Sequence, residues 1–500
     1  MGPWEQVHRR EVLKLAGMGV LAAGLGPLVG CSSGGSGSNG AAPTTLVPPT
    51  TVPFDPDTPW WLQAGYAPVS DEVDAVDLVV EGALPTELSG LYVRNGSNPR
   101  TGESPHWFLG DGMVHGLRLD AGTATSYANR YVRTPLYAAS AGFGAGVPGG
   151  EASQSNVSAI WHGGRLLTSG EVGYPYELSP SDLSTVGVHD FDGRLTTSMT
   201  AHPKIDPATG QMHFFGYGFV DPFLTYHVAD ASGTLIHSTS VPVSGPTMIH
   251  DFAITETDAI FWELPVVFDL DAAVAMIGDA STDTFPFTWD PSYGARIGVL
   301  PLGASGAEVV WHEIDPCYVF HGVNAYRDGA SVVIDVCRHE TMFDGGTLGT
   351  GLALHRWTVN TSTGQVADDV IDERSDMELP TRDARRVGRE HRYGYFVQNR
   401  PSEESVDLGG VIKHDYRTGE RTLWDPGPAQ HGGEWLFVAD PSGDADDEGW
   451  LLSYLHDEAT DASRFVVLDA TDIAAGPVAS VALPQRVPYG FHGTWVADPV

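Results

Sequence analysis

Four histidines, His202, His250, His321 and His492, sit in short and unusual phrases of this 500-residue chain. The phrases are Thr200-Ala-His-Pro-Lys204, Met248-Ile-His-Asp-Phe252, Phe320-His-Gly-Val-Asn324 and Phe491-His-Gly-Thr-Trp495. Imidazole is a borderline ligand suited to iron among other transition metals, so four of them are a candidate metal-holding set. Spacing alone argues nothing, because intervals of 48, 71 and 171 residues are unlike the close pairs of zinc fingers or HExxH proteases. The chain has 19 histidines, and one taken at random is more often a surface or hydrogen-bonded core residue than a ligand. Context separates these four. Each lies in or beside a strand-like segment, next to a small or chain-reversing residue, where segments distant in sequence can converge on one axis.

The elements that must position them are short strands. From residue 75 onward, apolar or alternating runs are punctuated by turn signals: Gly163-Gly164 between Ser158-Ala-Ile-Trp-His162 and Arg165-Leu-Leu-Thr168, then Pro207-Ala-Thr-Gly210, Ser362-Thr-Gly364 and Arg417-Thr-Gly419. Sixty glycines, 35 prolines and 10% aromatics suit hairpins better than long helices. The best helical stretch after residue 60 is Leu270 to Ile277. So many antiparallel hairpins demand closure or radial repetition, since one open sheet would expose long edges. An all-β propeller of six to eight blades is the expected architecture. With no clean repeat of blade length, periodicity leaves a double sandwich or two barrels open.

Acidic residues outnumber basic ones by 64 to 27, a formal charge of −37 that repels a nucleic-acid backbone and excludes that partner. The chain offers neither a P-loop nor a strand-linked GxGxxG. Gly142 to Gly150 is glycine-rich but lacks a lysine and a following helix, so it reads as a lid or loop. Residues 1–30 read as an export signal: Arg9-Arg10 precede an apolar run too short for a comfortable membrane span, resembling a twin-arginine signal peptide. The run ends in Leu28-Val29-Gly30-Cys31, which looks like a bacterial lipobox. Cys31 would then carry the lipid of a lipoprotein held on the extracytoplasmic face of a bacterial membrane. Residues 31–56, rich in Ser, Gly, Thr and Pro, form a flexible tether, and 57–500 form the globular body. Cys317 and Cys337 flank a hairpin-like stretch turning near Asp328-Gly329. A disulfide and two reduced, buried thiols are equally open.

With the histidine phrases, two further motifs become recognisable: Leu88-Ser-Gly-Leu-Tyr-Val-Arg-Asn-Gly-Ser-Asn-Pro99 and His106-Trp-Phe-Leu-Gly-Asp-Gly-Met-Val-His-Gly116. Together the six resemble, in order, the carotenoid cleavage oxygenase family, which includes stilbene-cleaving enzymes and retinoid isomerase relatives. The resemblance runs from about residue 58 to 496. It implies a seven-bladed β-propeller with a loop and short-helix cap over an axial site. It further implies one Fe(II) per chain held by His202, His250, His321 and His492, with Glu171, Glu378 and Glu434 hydrogen-bonded behind the ligand rings. Carboxylates so placed fix each ring's tautomer and offset metal charge without taking coordination positions. Arg94, Asp111, His106 and His115, from the two further motifs, are expected to be structural.

The implied chemistry is dioxygenase cleavage of a conjugated C=C bond of a lipophilic polyene, a carotenoid or apocarotenoid, with O2 to give carbonyl products. Stilbene cleavage and an inactive, lipophile-binding propeller are the alternatives. The stilbene-cleaving branch typically holds a phenol with a tyrosine and a lysine. Here Leu136 falls at the place of that lysine and is expected on the substrate tunnel, which favours a polyene. Many members carry a threonine near the open coordination position, where this chain has Val157.

Overall fold

A computed structural model of the chain describes residues 55, 57–139, 149–273, 285–345, 348–374, 376–402 and 405–498. The export signal and all of the tether except Asp55 lie outside the described residues, as does 140–148, most of the glycine-rich stretch.

Seven antiparallel sheets form the blades of a propeller. Blade II is the pattern: Ser158–His162, Arg165–Ser169, Tyr176–Leu178 and Thr185–Val188 pair in sequence order, inner strand first. Blade III begins at Lys204–Ile205, blade IV at Ala253–Ile254, blade V at Tyr318–Asp328 and blade VI at Met377–Thr381. The expected hairpins form where the turn residues stand; Gly163 and Gly164 both have positive φ, and His162 pairs with Arg165 across them. Blade IV carries an extra ribbon, Val266–Phe268 with Phe287–Trp289, projecting from its middle. Helix is sparse among the described residues: one short α-helix, Pro135–Ala139, several 3-10 turns, and helical residues at 270–273 that begin the expected segment.

Ring closure uses both chain ends. The C-terminal strand Gly493–Ala497 pairs with Gly90–Ser97 as the inner strand of blade I, while Val80–Gly82 adds outside Pro477–Ala482 on blade VII. Each end of the chain therefore completes a sheet begun by the other, so the ring has no free seam. Burial follows from blade stacking. The middle strands Met212–Tyr217, Leu224–Ala229 and Asp258–Glu263 are buried at every residue, covered on both faces by neighbouring blades. The outer strand Leu235–Ser240 alternates buried or half-buried with exposed positions in the manner of an edge facing solvent on one side. The largest cluster runs from Phe215 and Tyr226 through Phe252, Phe261 and Trp262 to Trp357, joining blades III, IV and V.

Cys317 and Cys337 are both buried and free. The hairpin turns at Asp328↔Ser331, beyond Arg327, the midpoint between the cysteines, and Tyr318 faces His339, so the two thiols are not opposite one another.

Blades VI and VII are fastened by a buried charge. His431 Nδ1 bonds Asp407 Oδ1 at 2.8 Å, and its Nε2 stands 3.1 Å from Glu458 Oε1, within ion-pair reach though off the hydrogen-bond line. Burial disfavours the imidazolium, but the two carboxylates outweigh it and raise the His431 pKa from 6.5 to about 9. A folded-state pKa above the unfolded one gives stability that is complete below pH 6.5 and lost as pH rises through 9. That rise corresponds to on the order of 3 kcal/mol. Urea unfolding from pH 6.5 to 9.5 should show this loss, and His431→Gln should flatten it; parallel profiles for the two proteins would refute the assignment.

Candidate metal centre

Every blade sends one side chain to the axis from its inner strand or the residues next to it. His202 stands two residues before Lys204–Ile205, His250 three before Ala253–Ile254, His321 inside Tyr318–Asp328 at its bulge, and His492 directly before Gly493–Ala497. Blades VI and VII contribute Glu378 and Glu434, and blade II contributes Val157, with Glu171 just beyond its second strand. Histidines separated by as many as 290 positions thus meet because each blade repeats the same entry geometry.

The four histidines each offer a nitrogen within 4.8 Å of all the others. His202 Nε2 and His250 Nε2 are 2.9 Å apart, and the His202 ring centroid lies 4.5 to 5.1 Å from the other three. Three rings are fixed from behind: His250 Nδ1 to Glu171 Oε2 at 2.8 Å, His321 Nδ1 to Glu378 Oε2 at 2.6 Å, and His492 Nδ1 to Glu434 Oε1 at 2.8 Å. With Nδ1 engaged, the Nε2 atoms remain for the common centre. His321 Nε2 is buried with no hydrogen-bond partner, an orphan that a metal ion would satisfy. Four neutral imidazoles backed by three carboxylates fit a divalent transition metal, and they leave coordination positions open on an ion that takes six ligands.

The glutamates are themselves held. Tyr217 Oη donates to Glu171 Oε1 at 2.9 Å, the Leu379 amide to Glu378 Oε2 at 2.7 Å, and the Gly493 amide to Glu434 Oε2 at 2.8 Å. His339 Nε2 adds a longer contact, 3.3 Å, to Glu378 Oε1. Burial drives His202 well below the ordinary imidazole value, helped by the other three histidines and Lys204, so it is neutral and able to donate its lone pair. Burial also lowers His321 against the pull of Glu378. In His250 burial is opposed by the charge and hydrogen bond of Glu171, which raise it. Burial works against the Glu378 carboxylate as well, yet His321 and His339 outweigh it and keep its pKa low.

An apolar cavity of about 1320 Å³, mouth included, opens directly onto His250, His321 and His492. Its walls are aromatic and aliphatic: Trp107, Phe108, Phe219, Phe285, Phe320 and Phe491, with Met248, Met342 and Leu348. Several belong to the segments capping this face, including the 3-10 turn Trp107–Leu109 and the ribbon of blade IV.

Val157 lies on the cavity wall beside the histidines, packed with Ala201 and Phe491, and its carbonyl accepts the His492 amide at 3.0 Å. Leu136 departs from expectation. It is buried in Pro135–Ala139 and is not among the described residues lining the cavity; its neighbour Tyr137 instead packs against Arg100 and Arg133 at the surface. Structural roles fall to the other motif residues: His115 bonds Tyr127 Oη at 2.8 Å, His106 caps the Trp107–Leu109 turn, Arg94 bonds the Pro488 carbonyl and Asp111 accepts the Arg100 amide. Tyr217 and His339 escaped the sequence reading. Tyr217 is the last residue of the strand Met212–Tyr217 and His339 the last of Ser331–His339, neither in a distinctive phrase, so only folding reveals that both point at glutamates.

Residues 66–497 match the family model described as retinal pigment epithelial membrane protein. The chain is 36% identical to a carotenoid cleavage oxygenase of Mycobacterium tuberculosis over 87% of this chain and 97% of that one. It is 35% identical to carotenoid 9,10(9',10')-cleavage dioxygenase 1 of Arabidopsis thaliana over 88% of this chain and 90% of that one. Among solved structures, cobalt-substituted apocarotenoid oxygenase of Synechocystis superposes with a TM-score of 0.76 at 27% identity, covering 88% of this chain and 98% of that one. Lignostilbene dioxygenase of Pseudomonas brassicacearum does so with a TM-score of 0.80 at 26% identity, over 89% of this chain and 100% of that one. A seven-bladed propeller, a four-histidine centre opening on an apolar cavity, and similarity along nearly the whole globular body place this chain in the carotenoid cleavage oxygenase family.

Proposed function

We propose that this protein is an Fe(II)-dependent dioxygenase that splits a conjugated C=C bond of a carotenoid or apocarotenoid, taking up O2 and releasing two carbonyl products. The observation that carries this reading is the abutment of the four-histidine centre on the apolar cavity. Iron held there by His202, His250, His321 and His492 would supply binding and activation of O2 next to the polyene.

The chain's own residues do the rest. Aromatic walls exclude water and bury a long apolar substrate, whose transfer from water or lipid is favoured in proportion to the area covered. Phe320 and Phe491, each the residue before a histidine, line the cavity where a conjugated chain would pass the centre. Glu171, Glu378 and Glu434 keep three imidazoles in one tautomer throughout. Val157 presents methyl groups beside the centre and keeps that side free of a hydroxyl.

The cavity favours a polyene over a hydroxystilbene. Among the described lining residues there is no lysine, and the one tyrosine, Tyr217, already donates to Glu171. A phenolate would therefore meet no lysine ammonium and no free tyrosine hydroxyl among the described lining residues.

Delivery is part of the proposal. A lipid on Cys31, after export directed by Arg9-Arg10, would hold the propeller by its tether at the outer face of the membrane, where lipophilic polyenes partition. No helix among the described residues is long and apolar enough to cross a membrane.

The iron-loaded protein should convert one or more members of an apocarotenal panel under ¹⁸O2, with label in both carbonyl products read by mass spectrometry. Carbonyl products from hydroxystilbenes alone would replace the polyene reading, and no product from any candidate would favour a binding propeller.

A further inference from the structure

Outside the groups that touch the histidines, one ion pair links the segments that follow His202 and His250. Lys204 Nζ of blade III lies 2.7 Å from Asp251 Oδ1 of blade IV, and the Gly322 amide of blade V donates to Asp251 Oδ2 at 2.9 Å. The Phe252 amide donates to the same carboxylate at 2.7 Å, so both oxygens are engaged. Asp251 is 1% exposed. The three partners stand two, one and one residues after His202, His250 and His321.

We infer that Asp251 is a positioning residue for the metal centre, locking the strands that carry His202, His250 and His321 into one register through Lys204 and the Gly322 amide. The inference rests on the reading that the four histidines hold a metal. Its first support is topological. The three strands belong to different sheets, so no ladder hydrogen bonds set their relative heights, and a single carboxylate does so instead. The second is the local shape of blade V. Its strand is bulged between Val319 and Gly322, which turns the Gly322 amide toward Asp251. A Cβ at Gly322 would come within 2.7 Å of the buried Trp262 ring, so glycine is what permits this approach. The third is chemical. A carboxylate has lone pairs for an ammonium and two amides at once, whereas a carboxamide must turn a donor toward one of them. Removing its charge also leaves the Lys204 ammonium uncompensated.

The test uses the metal-free full chain titrated with Co(II), reading affinity by chelator competition, coordination by the visible d–d bands, and folding by circular dichroism. Asp251→Asn should fold, bind Co(II) about tenfold or more weakly, at the lower end of what loss of an outer partner costs, and show altered bands. Lys204→Gln combined with Asp251→Asn should recover most of the affinity and the wild-type bands, because a neutral amide pair restores the link. A role in stability alone would change neither the bands nor their rescue. A folded Asp251→Asn with wild-type affinity and spectrum would overturn the inference. Should Asp251→Asn fail to fold, Lys204→Gln alone, which leaves the acceptors for Gly322 and Phe252, decides: weaker affinity with altered bands supports the lock, and unchanged values overturn it. A wild-type chain that binds no Co(II) would instead overturn the metal reading itself.

Discussion

His321→Ala should purify as a folded protein that retains almost no iron after anaerobic loading and forms no carbonyl product from substrates the parent cleaves. The imidazole is the ligand candidate most deeply built into the fold. It projects from the middle of an inner strand at a bulge, its Nδ1 is tied to Glu378 at 2.6 Å, and its Nε2 has no other partner. Alanine leaves three histidines and an unpaired direction on the metal, and affinity should fall by more than the roughly 100-fold that loss of an outer partner costs. The fold survives because Glu378 keeps the Leu379 amide and the His339 contact, so its carboxylate is not stranded. Removing one partner of a buried charged pair costs roughly 3–5 kcal/mol, which the remaining contacts of Glu378 reduce. Metal per chain, measured beside product formation and a melting curve, separates loss of the centre from loss of the fold. An iron-replete, active His321→Ala would sink the assignment.

Much of this centre was legible in phrases rather than spacing. Turn residues such as Gly163-Gly164 and Pro207-Ala-Thr-Gly210 specify hairpins through local backbone chemistry, so they read directly from sequence. Convergence of the histidines does not. It depends on Gly493–Ala497 crossing to Gly90–Ser97, a pairing of chain ends that no local pattern encodes. Glu378 shows the same limit: its surroundings, Met377-Glu-Leu-Pro380, are undistinctive, yet it makes the shortest of the three carboxylate contacts. Leu136 shows what a motif's neighbour does not encode. A position next to a recognisable motif was carried onto the tunnel, but the Pro135–Ala139 turn buries that side chain away from the described cavity wall. The two thiols stay apart because the hairpin turns between Asp328 and Ser331, past Arg327 midway between them, a register that symmetry of spacing cannot show.

The three carboxylates behind the rings differ in what holds them, and that difference makes Glu434→Gln the informative substitution among them. Glu434 accepts from His492 Nδ1 with one oxygen and from the Gly493 amide with the other, both at 2.8 Å. Glutamine has a single acceptor. If its oxygen faces His492, its amide group points at the Gly493 N–H; if it turns over, it points at the His492 N–H, and one donor opposes another in either case. His492 therefore loses a fixed tautomer or the strand that follows it loses its anchor, and the ring no longer gains basicity from a full negative charge. Iron affinity should fall about 10- to 100-fold while the circular dichroism spectrum stays that of the parent. Chelator competition under anaerobic conditions measures the first quantity. Glu171→Gln provides the internal comparison, because Tyr217 is a hydroxyl that can reverse and accept from the new amide, so its loss should be smaller. Equal losses at Glu434 and Glu171 would show that carboxylate charge alone matters, and wild-type affinity in Glu434→Gln would remove that residue from the centre altogether.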